Sequence, residues 1–221
     1  MKSLVISLFA LVQCVFLAMP SVASDWEMVF ESDTLRIFKR DYEGSSLDEI
    51  RGVVRAKASL NAVMALLKDA PFNQHWVYRS GGARVLQETG YAQAFVYGVV
   101  DAPPPMSDRD TVVRFDYRQN PVTLDITVTI TNVPDFVVPN QGLIRVPTMG
   151  GHWMLKPEAD GWVEVTYQIY GDPGGWIPTW LANQAALISV KNTLLNFAAV
   201  VNRYADARSD FVAEPQSPDE W

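Results

Sequence analysis

Two histidines, His75 and His152, and a dense triplet, Asp108-Arg109-Asp110, are the residues with which this chain could do acid–base chemistry. General acid–base catalysis needs a titratable group held within hydrogen-bond reach of its partner. The histidines stand far apart in the chain, and neither adjoins a carboxylate cluster, so each reads as a structural or surface side chain. In the triplet, neighbouring residues of a strand point to opposite faces, which spoils it as an acid–base pair. It reads instead as the ion-paired start of a strand. The sequence has no Gly-x-Ser-x-Gly elbow, no His-x-x-x-His pair and no phosphate loop. Gly150-Gly151 and Gly174-Gly175 read as turns. The single cysteine, Cys14, excludes a disulfide scaffold and a cysteine-based zinc site. No catalytic residue, metal or cofactor is expected.

What the chain has in quantity is apolar surface. Of 221 residues, 48% are apolar and 19% charged, which is globular composition. The net charge is −7 and no basic run occurs, so binding to nucleic acid is disfavoured. Anionic lipid headgroups would repel such a chain, so any membrane contact must be apolar and local.

The first 23 residues read as a signal peptide. Lys2 is its positive end, Leu4 to Met19 is apolar apart from Ser7 and Gln13, and Pro20 stops the run. Ser21-Val22-Ala23 then offers small residues at the cleavage positions. Removing Lys2 and no acid takes the net charge to −8 and leaves no cysteine. The expected location is periplasmic or extracellular.

The elements that would position any site follow from periodicity. Trp26–Ser32, Thr34–Asp41 and Glu49–Ala58 read as strands. Ser59 caps a helix over Leu60–Asp69, and Pro71 opens a short second one carrying His75 and Trp76. From Ala83 to Tyr170 the texture is β. Val122, Leu124, Ile126, Val128 and Ile130 alternate with polar residues, as do Val163, Val165, Tyr167 and Ile169. Strict alternation buries one face, so the sheet is antiparallel. Pro178 starts a long helix running to about Arg208, apolar over more than half its circumference. It is the one element long enough to cover the sheet. The fold class is α+β, a curved antiparallel sheet wrapped around a long C-terminal helix. One domain spans residues 24–208, and residues 209–221, with two prolines and four acids, read as a disordered acidic tail.

Trp76 with Val85-Leu86, then Pro103 to Pro105 and Arg109-Asp110-Thr-Val, Gly142-Leu-Ile-Arg145, and Gly175-Trp-Ile-Pro178 with Asn183-Gln184 follow one another in a familiar order. In these motifs the chain resembles the START (steroidogenic acute regulatory protein-related lipid transfer) family over about residues 26 to 207. The resemblance implies a helix-grip fold with an internal apolar cavity holding one lipid, and no cofactor. Parity then places side chains. On the Arg109–Arg118 strand the even positions Arg114, Asp116 and Arg118 are charged, so Val113, Phe115 and Tyr117 face inward. Ile126, Ile144, Trp153, Tyr167 and Ile169 join them by the same rule, and Trp180, Gln184 and Leu187 line the helix face. Where animal sterol carriers of the family place a buried acid and an arginine, a gapless count finds Val96 and Phe115. That replacement argues for a weakly polar ligand.

The expectation is therefore an exported, non-enzymatic and monomeric lipid-binding or lipid-transfer protein with transient membrane contact. A helix-grip enzyme acting on a bulky apolar substrate and a ligand-free protein-interaction module are the alternatives. The loop Asn132–Gly142 places Phe136, Val137 and Val138 between Pro134 and Pro139, and is expected to act as a lid over the cavity.

Overall fold

The computed structural model of the chain describes residues 26–216. The expected signal peptide and positions 217–221 lie outside the described residues. Strands β1 (Glu27–Glu31), β2 (Leu35–Asp41) and β3 (Asp48–Lys57) form a meander. Helix α1 (Leu60–Lys68) begins where Ser59 Oγ accepts from the Ala62 N–H at 3.1 Å, satisfying a donor that the first helical turn leaves free. Leu60, Val63 and Leu66, at helical spacing, are fully buried. A 3-10 helix (Ala70–His75) follows, capped by the Asp69 carboxylate on Phe72 N.

Then come β4 (Ser80–Thr89), β5 (Gln93–Val100), β6 (Arg109–Gln119), β7 (Ile126–Asn132), the short β8 (Ile144–Arg145), β9 (Thr148–Glu158) and β10 (Trp162–Asp172). Helix α2 (Thr179–Val200) and a 3-10 turn (Val201–Tyr204) follow. The strands join in the order β1-β2-β3-β10-β9-β7-β6-β5-β4, every neighbour antiparallel, with β8 added in parallel to β6. The last strand thus lies beside the third, and the curved sheet grips α2. The expected α+β helix-grip architecture is the observed one.

Five details depart from expectation. The alternation from Val122 does not begin a strand: Asn120 Oδ1 accepts from Val122 N and Thr123 N, the amide mimicking a backbone turn. Leu124 takes φ +61°, and β7 starts only at Ile126. Gly150-Gly151 lies inside β9, where a Cβ on Gly150 would meet the Tyr170 ring. Pro178 is the cap before α2, not its first residue. The α-helix itself ends at Val200, making it about 33 Å long.

The fifth is the tail. Within residues 209–216 it is anchored at points: Val212 is 7% exposed, and Phe211 stacks on Tyr91 with centroids 4.6 Å apart. The Glu214 carboxylate accepts from Leu60 N (3.1 Å), Asn61 N (2.7 Å) and Asn61 Nδ2 (2.8 Å). An acid read as solvating thus serves the positive end of α1.

Candidate functional site

Inward-facing residues of β5, β6, β7, β9 and β10 converge with α1, the first 3-10 helix and α2 on a hollow of about 280 Å³. Its sheet wall is set by parity. Val113 and Phe115 come from β6, Val128 and Ile130 from β7, Trp153 from β9, and Tyr167 and Ile169 from β10. Trp153 stacks on Tyr167 at 4.0 Å, and Trp76 meets Trp153 edge-on at 6.0 Å. No Asp, Glu, Lys, Arg or His is among the residues lining the hollow. Burial pushes the Tyr167 phenol above its ordinary range.

Six expected site residues line this hollow: Val96, Val113, Phe115, Trp153, Tyr167 and Ile169. Val96 and Phe115 are therefore apolar wall. The other expected residues are elsewhere. Tyr117 is one inward position too far along β6, buried beneath Lys68 Nζ, which sits 4.4 Å from its ring centroid. Ile126 is core beside Leu155. Ile144 packs against the glycine turn at Gly174 and Gly175. Trp180 is 70% exposed, Gln184 is exposed, and Leu187 packs partly buried against the core.

The helix face differs from the expectation for a physical reason. Because apolar and polar residues are spread around α2, its sequence carries no preferred face. Val190, Leu194 and Phe197 take the sheet, which leaves Ser189 and Thr193, one turn apart, to line the hollow. The sequence reading also missed Asn73. Trp76, which the sequence marks only as part of a motif, also lines the hollow. Thr193 Oγ1 accepts from Tyr78 N at 3.1 Å and Asn196 Nδ2 donates to the Trp76 carbonyl at 3.0 Å, so α2 fixes this segment of the wall.

The loop expected to be a lid lies on the other side of the sheet. Phe136 stacks on Phe95 at 4.3 Å, and Phe95 points away from its inward neighbours Ala94 and Val96. Val137 is half-buried and Val138 is exposed, and neither lines the hollow. The cause is a buried ion pair. Asp110, fully buried, accepts two bonds from Arg145 at 2.9 Å each. Arg145 also donates to the carbonyls of Pro134 and Val137, and so clamps the loop over the outer face. The guanidinium holds the Asp110 carboxyl below its ordinary range. Asp110 is thus the ion-paired member of the triplet, whereas Arg109 donates to the carbonyls of Ser107, Pro173 and Gly174.

His152 is also on the outer face, opposite Gln168. There Glu49 is buried by Gln168, which donates to it at 2.6 Å, and by Arg40. Burial, with the charge of Arg51, lowers the His152 pKa. His75 packs beside Phe72 on the exposed side of its turn. Neither histidine lines the hollow.

No family model matches the chain. An uncharacterised protein of Pseudomonas aeruginosa is 33% identical over 176 residues, covering 79% of this chain and 85% of that one. Human phosphatidylcholine transfer protein is 25% identical over 202 residues, covering 86% and 91%. Among solved structures, the STAR-related lipid transfer protein of Xanthomonas axonopodis (fragment 25–204) superposes with a TM-score of 0.75 at 36% identity. The match spans 80% of this chain and 98% of that one. Human StAR-related lipid transfer protein 5, at 15% identity, shares the fold with a TM-score of 0.73 over 82% and 88%.

Proposed function

The chain belongs to the START-related lipid-transfer family, and from that premise we propose that it is an exported carrier holding one hydrophobic ligand in the hollow between sheet and α2. The observation that carries the reading is the uncharged, aromatic-rich lining, with Val96 and Phe115 facing inward. Burying an acyl chain there contributes about 0.8 kcal/mol per methylene, so apolar contact alone yields useful affinity. Fatty-acyl lipid, phospholipid and sterol are the candidate ligand classes, and the name of the human relative supports the second.

Export rests on residues 1–23 and their cleavage motif. For the membrane step, Trp176 (92% exposed) and Trp180 (70%) offer apolar surface at the start of α2. Contact of this kind suits a net charge of −8.

Protein purified from its own host and examined by native mass spectrometry, followed by lipid extraction, tests the proposal. A stoichiometric adduct that releases a lipid supports it. Protein that carries no adduct and takes up no lipid from phosphatidylcholine vesicles overturns it.

A further inference from the structure

The wall of the hollow is not equally firm all round. Strands β5, β6, β7, β9 and β10 are each hydrogen-bonded to a strand on both sides, and α2 rests on the backbone of β3 at Gly52. Helix α1 contributes Leu67 and is fixed by Leu60, Val63 and Leu66, all fully buried. Between α1 and β4 the wall is a short stretch of which Asn73, Trp76, Val77 and Tyr78 line the hollow. It belongs to no strand. It starts at Asp69, which ends α1 in a non-helical conformation (φ −80°, ψ 76°). It passes into β4 through Arg79 at φ +54°, a left-handed conformation that non-glycine residues rarely take. The β4 register then shifts between Ser80 and Gly82. Both ends are joints in the regular backbone.

What fastens this stretch comes from one direction. Apart from bonds to chain neighbours, its hydrogen bonds among the described residues all run to positions 193–204. Thr193 Oγ1 accepts from Tyr78 N at 3.1 Å, and Asn196 Nδ2 donates to the Trp76 carbonyl at 3.0 Å. Tyr204 Oη donates to Asp69 Oδ2 at 2.6 Å. The other oxygen of Asp69 accepts from Phe72 N at 3.1 Å, so Tyr204 holds the carboxylate that caps the 3-10 helix. Arg203 covers the Phe72 ring at 4.7 Å. Tyr78 and Thr193 both line the hollow, so the seam that their bond closes leads into it. Val100, which pairs with Ser80, also lines the hollow and is 41% exposed, which brings the wall to the surface at the same end. The volume of about 280 Å³ lies just below the roughly 300–1,000 Å³ usual for small-molecule sites, so a lipid requires the wall to yield.

We propose that residues 69–78 form a flap of the hollow, jointed at Asp69 and Arg79 and latched by Thr193, Asn196 and Tyr204, and that ligand enters and leaves by release of this latch. The proposal rests on the hollow being the ligand site. A flap that must open for both passages sets the rates of uptake and release together and leaves their ratio alone.

That relation is the test. Tyr204→Phe removes the phenolic donor and keeps the ring edge-on to Phe72, and Asn196→Ala removes a second tie from an exposed position on α2. Uptake of a dansyl-labelled fatty acid, free in solution, by the full mature protein is followed by stopped-flow fluorescence. Release is followed on adding excess unlabelled fatty acid. Each variant should speed both rates by about 2- to 10-fold, the range for one hydrogen bond, with the affinity nearly unchanged. A purely structural role would lower the unfolding midpoint without moving the two rates in step. Hydrogen exchange gives a ligand-free measurement: the amides of Trp76, Val77 and Tyr78 should exchange faster in both variants, and those of Tyr167 and Ile169 at the wild-type rate. Wild-type rates of uptake and release in both folded variants, faster release with unchanged uptake, or unchanged exchange at these three amides overturns the flap and leaves the carrier reading intact. Wild-type protein that takes up none of the probe overturns both.

Discussion

Gly52, midway along β3, lies so close to Leu194 of α2 that a Cβ at position 52 would overlap Leu194 Cδ1. The same Cβ would come within 2.9 Å of Val190 Cγ1 and 3.0 Å of Ile37 Cδ1. The helix therefore rests directly on the strand backbone at this point. Gly52→Ala should cost about 1–3 kcal/mol by overpacking. Urea unfolding is the check, and an unchanged midpoint would mean that α2 does not sit this low.

Phe115→Arg places an unpaired cation in a wall without counter-charge. Binding of any apolar ligand should fall by roughly 10-fold or more, while the far-ultraviolet circular dichroism of the sheet is retained. Full uptake by the folded variant would remove Phe115 from the site.

The Asp110–Arg145 pair should behave as a loop clamp. Removing one partner of a buried pair costs about 3–5 kcal/mol, so Asp110→Asn should destabilise strongly and expose residues 133–143 to protease. The pH dependence follows from the direction of the shift. A carboxyl depressed in the folded state contributes fully above its ordinary value of 3.8, and its contribution is lost as pH falls through the lower folded value. Denaturation midpoints followed from neutral to strongly acidic pH should show this loss in wild type. Its presence at equal size in Asp110→Asn would assign it to another group.

Glu214 caps α1 from the far end of the chain. Glu214→Ala should lower stability by about 1–2 kcal/mol, since three donors lose their acceptor. A melting temperature unaffected by the change would return this segment to the role of a spectator.

Trp176 and Trp180 should act in transfer and not in retention. Replacing both by Ser is expected to slow lipid movement between neutral vesicles, leaving the amount held at saturation unchanged. Wild-type transfer rates would exclude this end of α2 from membrane contact.

What the amino-acid sequence determined by itself is whatever has a local physical cause. Val163, Val165, Tyr167 and Ile169 alternate with Glu164, Thr166 and Gln168, and a strand's period of two sends the first set inward whatever lies around it. Ser59 caps α1 through a bond three residues away. Neither reading needed tertiary information, and the same alternation placed Val113, Phe115 and Trp153, with Tyr167 and Ile169, on the sheet wall of the hollow. Only the tertiary structure decided the rest, because there the competing local choices are equal. A helix whose apolar residues are spread around its circumference has no face of its own, so the space left by Gly52 selected Val190 and Leu194 for the sheet and left Ser189 and Thr193 for the hollow. The loop at Phe136 could fold to either side of the sheet, and a pair 35 residues apart, Asp110 with Arg145, drew it to the outer one. Residues 209–216 carry the composition of a tail, yet donors on α1, some 150 positions earlier, hold Glu214. Pairings of that separation leave no periodic trace in the chain, since the cost of closing them is met only once the sheet has brought their partners together.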